Sequence, residues 1–136
     1  MSDQVFTEEE KAAMRERARE AREFKKLSGE EQVQRKIAEM DSHDQEMALR
    51  LHELILGISD KITTRTWYGM PAYYVKDKVI CFYQSASKFK VRYSTFGFQE
   101  AANLDEGTFW PTSYALTKLT KDVEKQIVEL VKKAIC

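Results

Sequence analysis

The chain has 136 residues, 43% of them hydrophobic, so it has the size of one domain and can bury a core without disulfides. Lysine plus arginine and aspartate plus glutamate each number 22, and the formal net charge of zero excludes a general attraction to nucleic acid or to an anionic membrane. The two cysteines, Cys81 and Cys136, lack the spacing of a disulfide framework or a zinc site, and we interpret both as free thiols.

The first ten residues, MSDQVFTEEE, lack the basic and apolar regions of a signal peptide. No apolar segment approaches the roughly 20 residues that span a bilayer. We therefore expect a cytoplasmic protein without a membrane partner, either a monomer or a homodimer. The chain also has no Gly-rich phosphate loop, dinucleotide fingerprint or nucleophile elbow, so no motif points to an enzyme.

The first predicted helix is an exposed extension. Thr7 and Glu10 have the spacing of a capping box, which predicts a helix from there to about Lys26. Apolar residues are few, and Glu and Arg at spacings of three and four are typical of a solvated helix. We therefore divide the chain into a helical extension, residues 1–28, and a single domain, residues 29–136.

Two more helices precede the sheet. Ser28 and Glu31 repeat the capping signal before a short second helix, and Asp41 or Ser42 begins a third. In the third helix, apolar residues at helical spacing form one stripe that faces a core. The residues of this stripe are Met47, Leu51, Leu54, Ile55 and Ile58.

From Thr63 onward, β-branched and aromatic residues punctuated by Gly and Pro predict strands. AYYV and KVICFY flank a turn at residues 76–78 and form a hairpin, whose first strand follows a bend at the Gly-Met-Pro sequence, residues 69–71. KFKVRY, residues 88–93, alternates apolar and cationic side chains, which predicts a strand with three cations on one face. A last strand is predicted at residues 108–117.

Thr120 caps the last helix, which carries acidic residues in its first turn and lysines in its last, the order that the helix dipole favours. Its apolar stripe is Val123, Ile127, Leu130, Val131 and Ala134. Striped helices and a sheet that is apolar on one face predict an α+β domain. We expect a mostly antiparallel sheet of about five strands, with N-terminal helices and the C-terminal helix packed on one face.

The segment WYGMPAYYVKDKVICFYQSASKFKVRY, followed by GFQEAANLDEG, a Trp-Pro pair and an amphipathic helix, resembles the YdhG-like family of small bacterial proteins. The resemblance covers roughly Lys36 to the end of the chain, and its most specific element is the Gly-Met-Pro core with aromatic flanks. It implies an α+β fold. One branch of the family is described as a frataxin-like iron chaperone, so the resemblance implies iron as a metal that the chain could bind. No residue roles carry over from the family.

The rings around the Gly-Met-Pro sequence have two interpretations. Gly69 and Pro71 predict a turn or bulge that splays neighbouring rings, some into the core and others along the wall of a ligand groove. The same rings also suit plain core packing. The candidate groove residues are Trp67, Tyr68, Met70, Tyr73, Phe82, Lys88, Arg92 and Trp110.

Carboxylates on the first helix are the candidates for a metal site, because hard cations prefer oxygen ligands. The arginines that separate them support the alternative, a solvated helix with ion pairs. The two histidines, His43 and His52, lie on opposite sides of one helix and cannot chelate the same ion. The candidate metal ligands are Glu8, Glu9, Glu16 and Glu20.

Two further hypotheses concern the predicted strands. Cys81 is a nucleophile if Lys88 or Arg92 lowers its thiol pKa, and otherwise a buried core thiol. Lys88, Lys90 and Arg92 could hold an anionic ligand, although so few cations give only weak binding to nucleic acid, which we do not expect as a partner.

These observations favour a non-enzymatic module that binds a small ligand or a metal ion, with iron binding as the variant that the resemblance implies. The alternative is a protein-interaction or regulatory domain that docks through its N-terminal helix.

Overall fold

The computed structural model describes residues 5–136, so the first four residues of the predicted extension, 1–28, lie outside the described residues. The described part is an α+β domain with five helices and one five-stranded antiparallel sheet, which confirms the predicted fold class. The helices are α1 (Glu8–Lys25), α2 (Gly29–Ala38), α3 (Ser42–Leu56), α4 (Ala86–Phe89) and α5 (Lys121–Ala134). The strands are β1 (Thr63–Trp67), β2 (Met70–Val75), β3 (Lys78–Gln84), β4 (Ser94–Phe98) and β5 (Ser113–Leu116).

The four long helices begin where the capping signals place them. Each N-cap side chain accepts a hydrogen bond from the backbone N–H three residues further on, which satisfies one of the unpaired donors at the helix start. The N-cap residues are Thr7, Ser28, Asp41 and Thr120.

The sheet is a meander in which each strand pairs with the next along the chain. Tyr73 faces Cys81 across β2 and β3, and Cys81 faces Phe98 across β3 and β4, so these side chains share one side of the sheet. Helices α2, α3 and α5 cover that side, and their buried residues join the same apolar core. The helix residues of the core include Val33, Ile37, Leu51, Ile55, Ile127 and Val131.

Helix α1 lies apart from this core, because none of its residues is buried. Met14, in the middle of the helix, is 41% exposed. Near its end, Phe24 lies under the Lys36 ammonium of α2, at 5.2 Å from the ring centroid. The helix is therefore supported by its own ion pairs and by light contact with α2.

The first hairpin turns earlier than predicted. Tyr68 and Gly69 have φ values of 49° and 76°, the positive angles of a type I′ turn, and Trp67 pairs with Met70 across it. Pro71 therefore lies inside β2, opposite Thr66, rather than in a bend. Trp67 and Met70 form the hydrogen-bonded pair that closes the hairpin. The next pair, Thr66 and Pro71, is one that exchanges no backbone hydrogen bonds, so the missing N–H of Pro71 leaves the pairing of β1 and β2 intact.

The predicted strand at residues 88–93 is wrong. Ser85 caps the short helix α4, and Lys90 ends it with φ 54° in the left-handed region. Buried Asp44 holds this conformation, because its Oδ2 accepts hydrogen bonds from Ser85 Oγ at 2.6 Å and from Ser87 N at 2.8 Å. Although KFKVRY alternates like a strand, these hydrogen bonds hold its start in a helical turn. The predicted face of three cations therefore does not form.

The last strand is also shorter than the predicted range of 108–117. Residues 99–112 form a connection that leads from β4 to β5, and Pro111 lies in it, outside the sheet. This connection shapes the site described next.

Candidate functional site: the Trp110 cleft

The eight predicted groove residues do not share one surface. Four of them, Trp67, Tyr68, Met70 and Phe82, belong to the sheet region opposite the helices, whereas Tyr73 is buried on the helix side because side chains alternate along β2. The other three lie in connections: Lys88 in α4, Arg92 after it, and Trp110 before β5.

The rings near the first hairpin pack against each other and against the sheet. The Trp67 centroid lies 5.3 Å from that of Phe82 and 4.9 Å from that of Tyr68. The Phe82 ring lies so close to Gly97 that a Cβ there would be 2.4 Å from Phe82 Cζ. The Trp67 and Phe82 rings are therefore closely packed around the predicted bend, whereas the Tyr68 ring is 82% exposed.

Concave, aromatic-lined space is found instead around Trp110. Two cavities, of about 280 Å³ and 470 Å³, share the half-buried Trp110 and the buried Leu104 as lining residues. The smaller cavity is completed by Glu106, Phe109, Pro111, Tyr114, Leu130 and Lys133. The larger cavity is completed by Phe98, Gln99, Glu100, Ala102, Asp105 and Thr112. We call the two cavities together the Trp110 cleft.

Hydrogen bonds fix the connection that forms the cleft. At its base, Phe98 N donates to Thr112 O at 2.7 Å. Farther along, Asn103 N donates to Ala134 O at 2.9 Å, and Asn103 Nδ2 donates to Cys136 O at 2.8 Å. Asn103 thus satisfies carbonyls at the end of α5 and ties the cleft to that helix. The lining residues are therefore held in place by backbone geometry.

One ion pair borders the smaller cavity. Lys133 Nζ donates to Glu106 Oε1 at 2.6 Å, and this hydrogen bond, with the charge of the ammonium, lowers the pKa of Glu106. Phe109, next to Trp110, is 94% exposed and contributes almost nothing to the core. The smaller cavity thus offers two half-buried rings, Trp110 and Tyr114, and one exposed ring, Phe109, beside charged groups.

The candidate metal ligands Glu8, Glu9, Glu16 and Glu20 are all exposed on α1. Glu8 pairs with Lys11 at 3.8 Å, and Glu16 pairs with Arg19. Within residues 5–136, no group of three or more His, Cys, Asp or Glu side chains is arranged to hold a metal ion. The ion-pair partners of Glu8 and Glu16 are basic side chains of the same helix.

A polar cluster that runs from the buried Tyr73 to the exposed Glu30 has no counterpart among the predicted sites. His52 Nδ1 lies 3.0 Å from Tyr73 Oη, and His52 Nε2 lies 2.7 Å from Glu30 Oε2. Burial, followed by the charges of Cys81 and Glu30, raises the pKa of Tyr73. Burial alone would raise the pKa of Glu30, but hydrogen bonds from Gln34 and His52 outweigh it and lower the pKa. The other histidine, His43, is exposed.

Cys81 is fully buried, and burial raises the pKa of its thiol. Of the cations proposed to activate it, Lys88 instead pairs with Glu39 at 2.9 Å. Because the thiolate is the reactive form, Cys81 is a core thiol rather than a nucleophile.

Comparison of the chain with protein-family models, with curated proteins and with solved structures gave no match. Among the described residues, no helix has both the length and the apolar character needed to cross a membrane. Function therefore has to be inferred from the side chains of the cleft.

Proposed function

We propose that the protein is a non-enzymatic module that binds a small organic molecule in the Trp110 cleft. The observation that carries this proposal is the position of Trp110, a half-buried ring that borders two cavities of about 280 Å³ and 470 Å³. Ligand pockets typically measure about 300–1,000 Å³ and combine apolar walls with a few fixed polar groups.

The composition of the walls supports binding rather than catalysis. Leu104, Phe98 and Trp110 supply apolar area, and the charged residues of the larger cavity, Glu100 and Asp105, are exposed. The cleft lining has neither a histidine nor a cysteine, and its lysine, Lys133, is paired with a carboxylate. Such a lining can hold a ligand by stacking and charge.

Ligand-observed NMR with a library of small organic fragments tests the proposal. We expect hits that shift the indole N–H resonance of Trp110, and we expect Trp110→Ala to weaken their binding by about tenfold or more, because stacking on the indole is lost. Tyr68→Ala is the matched control, since it removes a ring that is 82% exposed on another part of the sheet. If Trp110→Ala unfolds, Phe109→Ala replaces it as the test variant, because it leaves the packed part of the cleft intact. Hits that bind all variants equally contradict the proposal.

A second candidate function is docking of a protein partner through α1. The observation in its favour is an 18-residue helix with no buried residue, on which Met14 is 41% exposed. A helix of this length without packing gains little stability from the domain, and an apolar side chain in its middle fits a helix-in-groove contact.

Met14→Lys and a truncation that removes residues 1–26 test this second candidate. The truncation keeps Ser28, the N-cap of α2. We expect both changes to abolish partner capture and to leave ligand binding at Trp110 unchanged. Unchanged oligomeric mass and unchanged captured partners would refute docking through α1.

A further inference from the structure

We infer that the Trp110 cleft selects an organic cation, a quaternary or protonated amine, held against the Trp110 ring by the carboxylates of Glu100 and Asp105. This inference rests on the proposed function and adds the chemical class of the ligand. It is carried by the cavity, its aromatic wall and the distribution of charge around it.

The charges that line the larger cavity have one sign. Its charged residues are Glu100 and Asp105, and its lining contains no lysine or arginine. In the smaller cavity the charges of Glu106 and Lys133 cancel, because the two groups are paired at 2.6 Å. Within the described residues, 5–136, no basic side-chain nitrogen lies within 4.0 Å of a carboxylate oxygen of Glu100 or Asp105. An anionic ligand would therefore meet repulsion there, and a cation would meet attraction.

The aromatic wall distinguishes an organic cation from a metal ion. A metal ion needs converging oxygen ligands, whereas an alkylammonium group is held by the face of an aromatic ring, tryptophan being the most favourable. Trp110 and Phe98 both line the larger cavity. With a volume of about 470 Å³, the cavity has room for a trimethylammonium group and a short chain attached to it.

Choline and its uncharged isostere 3,3-dimethylbutan-1-ol provide the test, because they have the same shape and differ by one charge. Titration of the intact protein is followed by the two-dimensional NMR signal of the Trp110 indole N–H, which is assigned by its absence in Trp110→Phe. We expect choline to bind about tenfold more tightly than the isostere, and we expect added salt to weaken choline alone.

The double variant Glu100→Gln, Asp105→Asn removes the two charges with little change in shape. We expect it to weaken choline binding several-fold, toward the affinity of the isostere, with the contact to the Trp110 ring retained, and to leave the isostere unaffected. The matched control is Asp60→Asn, Glu53→Gln, which neutralises two exposed carboxylates elsewhere and should change neither affinity.

The outcomes separate the two proposals. Equal affinity for choline and the isostere, or a preference of the fragment library for neutral or anionic ligands at Trp110, overturns the choice of an organic cation and leaves the binding function standing. If no ligand of any charge depends on Trp110, both the binding function and the choice of an organic cation fall.

Discussion

A buried histidine joins three elements of the fold. His52 of α3 contacts Tyr73 of β2 at 3.0 Å and Glu30 of α2 at 2.7 Å, and only 7% of the residue is exposed. A neutral imidazole meets both partners by donating from one nitrogen and accepting at the other. Because its partners come from different elements, this side chain helps to fix how α2 and α3 lie on the sheet.

Replacing His52 by Phe should destabilise the fold. The change leaves the Tyr73 hydroxyl buried without its partner, which costs about 1–3 kcal/mol of unfolding free energy. His43→Phe, at an exposed position on the same helix, should change stability by less than about 0.5 kcal/mol. Urea unfolding at neutral pH measures both, and equal midpoints for the two variants would show that the buried contacts contribute nothing.

Asp44 makes stability depend on pH in a specific direction. Burial alone would raise the pKa of Asp44, but hydrogen bonds from Ser85 and Ser87 outweigh it and lower the pKa below its usual range. A depressed pKa in the folded state stabilises the fold above the unfolded-state pKa, and the contribution is lost as the pH falls through the folded-state pKa.

We therefore expect Asp44→Asn to reduce stability at pH 7 by about 1–3 kcal/mol and the difference from wild type to shrink as the pH is lowered below about 4. Thermal unfolding at a series of pH values measures this difference. Asp60→Asn, at an exposed position, is the control and should follow wild type throughout. A difference that grows toward acid would contradict the assigned direction.

At the scale of elements, one glycine sets the distance between α2 and the sheet. A Cβ added at Gly29 would lie 2.0 Å from the backbone oxygen of Thr64 in β1. Backbone cannot rotate away as a side chain can, so any larger residue forces the helix and the strand apart. Close contact of α2 with β1 therefore depends on this position.

Gly29→Ala should destabilise the fold by roughly 1–3 kcal/mol, because the overpacked helix start must move. Gly57→Ala is the matched control at the end of α3, where φ is −75° and the nearest atom to an added Cβ is 3.2 Å away. We expect this control to stay within about 1 kcal/mol of wild type. Chemical denaturation compares the two, and an equal loss in both variants would rule out the close approach as the cause.

The exposed helix α1 allows a direct test of the iron hypothesis that the family resemblance implies. Two of the four candidate carboxylates, Glu8 and Glu16, pair with basic side chains of the same helix, and residues 8 and 20 are separated by about 18 Å along the axis. We expect calorimetric titration with ferrous iron under anaerobic conditions to give no saturable binding. Saturable binding that disappears when Glu8, Glu9, Glu16 and Glu20 are all replaced by Gln would establish the iron role instead.

For the whole molecule, local signals predicted the fold well. The four long helices follow from their caps, α3 and α5 also from their apolar stripes, and the second hairpin turns at Lys76 and Asp77 as predicted. Prediction failed where hydrogen bonds between residues far apart in the sequence decide the conformation. Residues 88–93 have the alternation of a strand, but Asp44, more than 40 residues earlier in the chain, holds the preceding segment in a helical turn.

The site was harder to predict than the fold. The aromatic content identified Trp110, but Glu100, Asp105 and Leu104 reach it only because their connection is fastened to α5. The contacts of His52 likewise cross 21 and 22 residues of sequence, which no local pattern reveals. The membership of the YdhG-like family remains a prediction from the residues.

The meander has a consequence for how the sheet opens. Its first two connections are tight turns, whereas residues 99–112 separate β4 from β5. Loop closure entropy rises with length, by about 1.7 kcal/mol between 2 and 14 residues. The edge strand β5 is therefore the part of the sheet that we expect to detach most readily, and its amide hydrogens to exchange first. Since Trp110 precedes that strand, a ligand bound in the cleft would slow this exchange and hold β5 in the sheet.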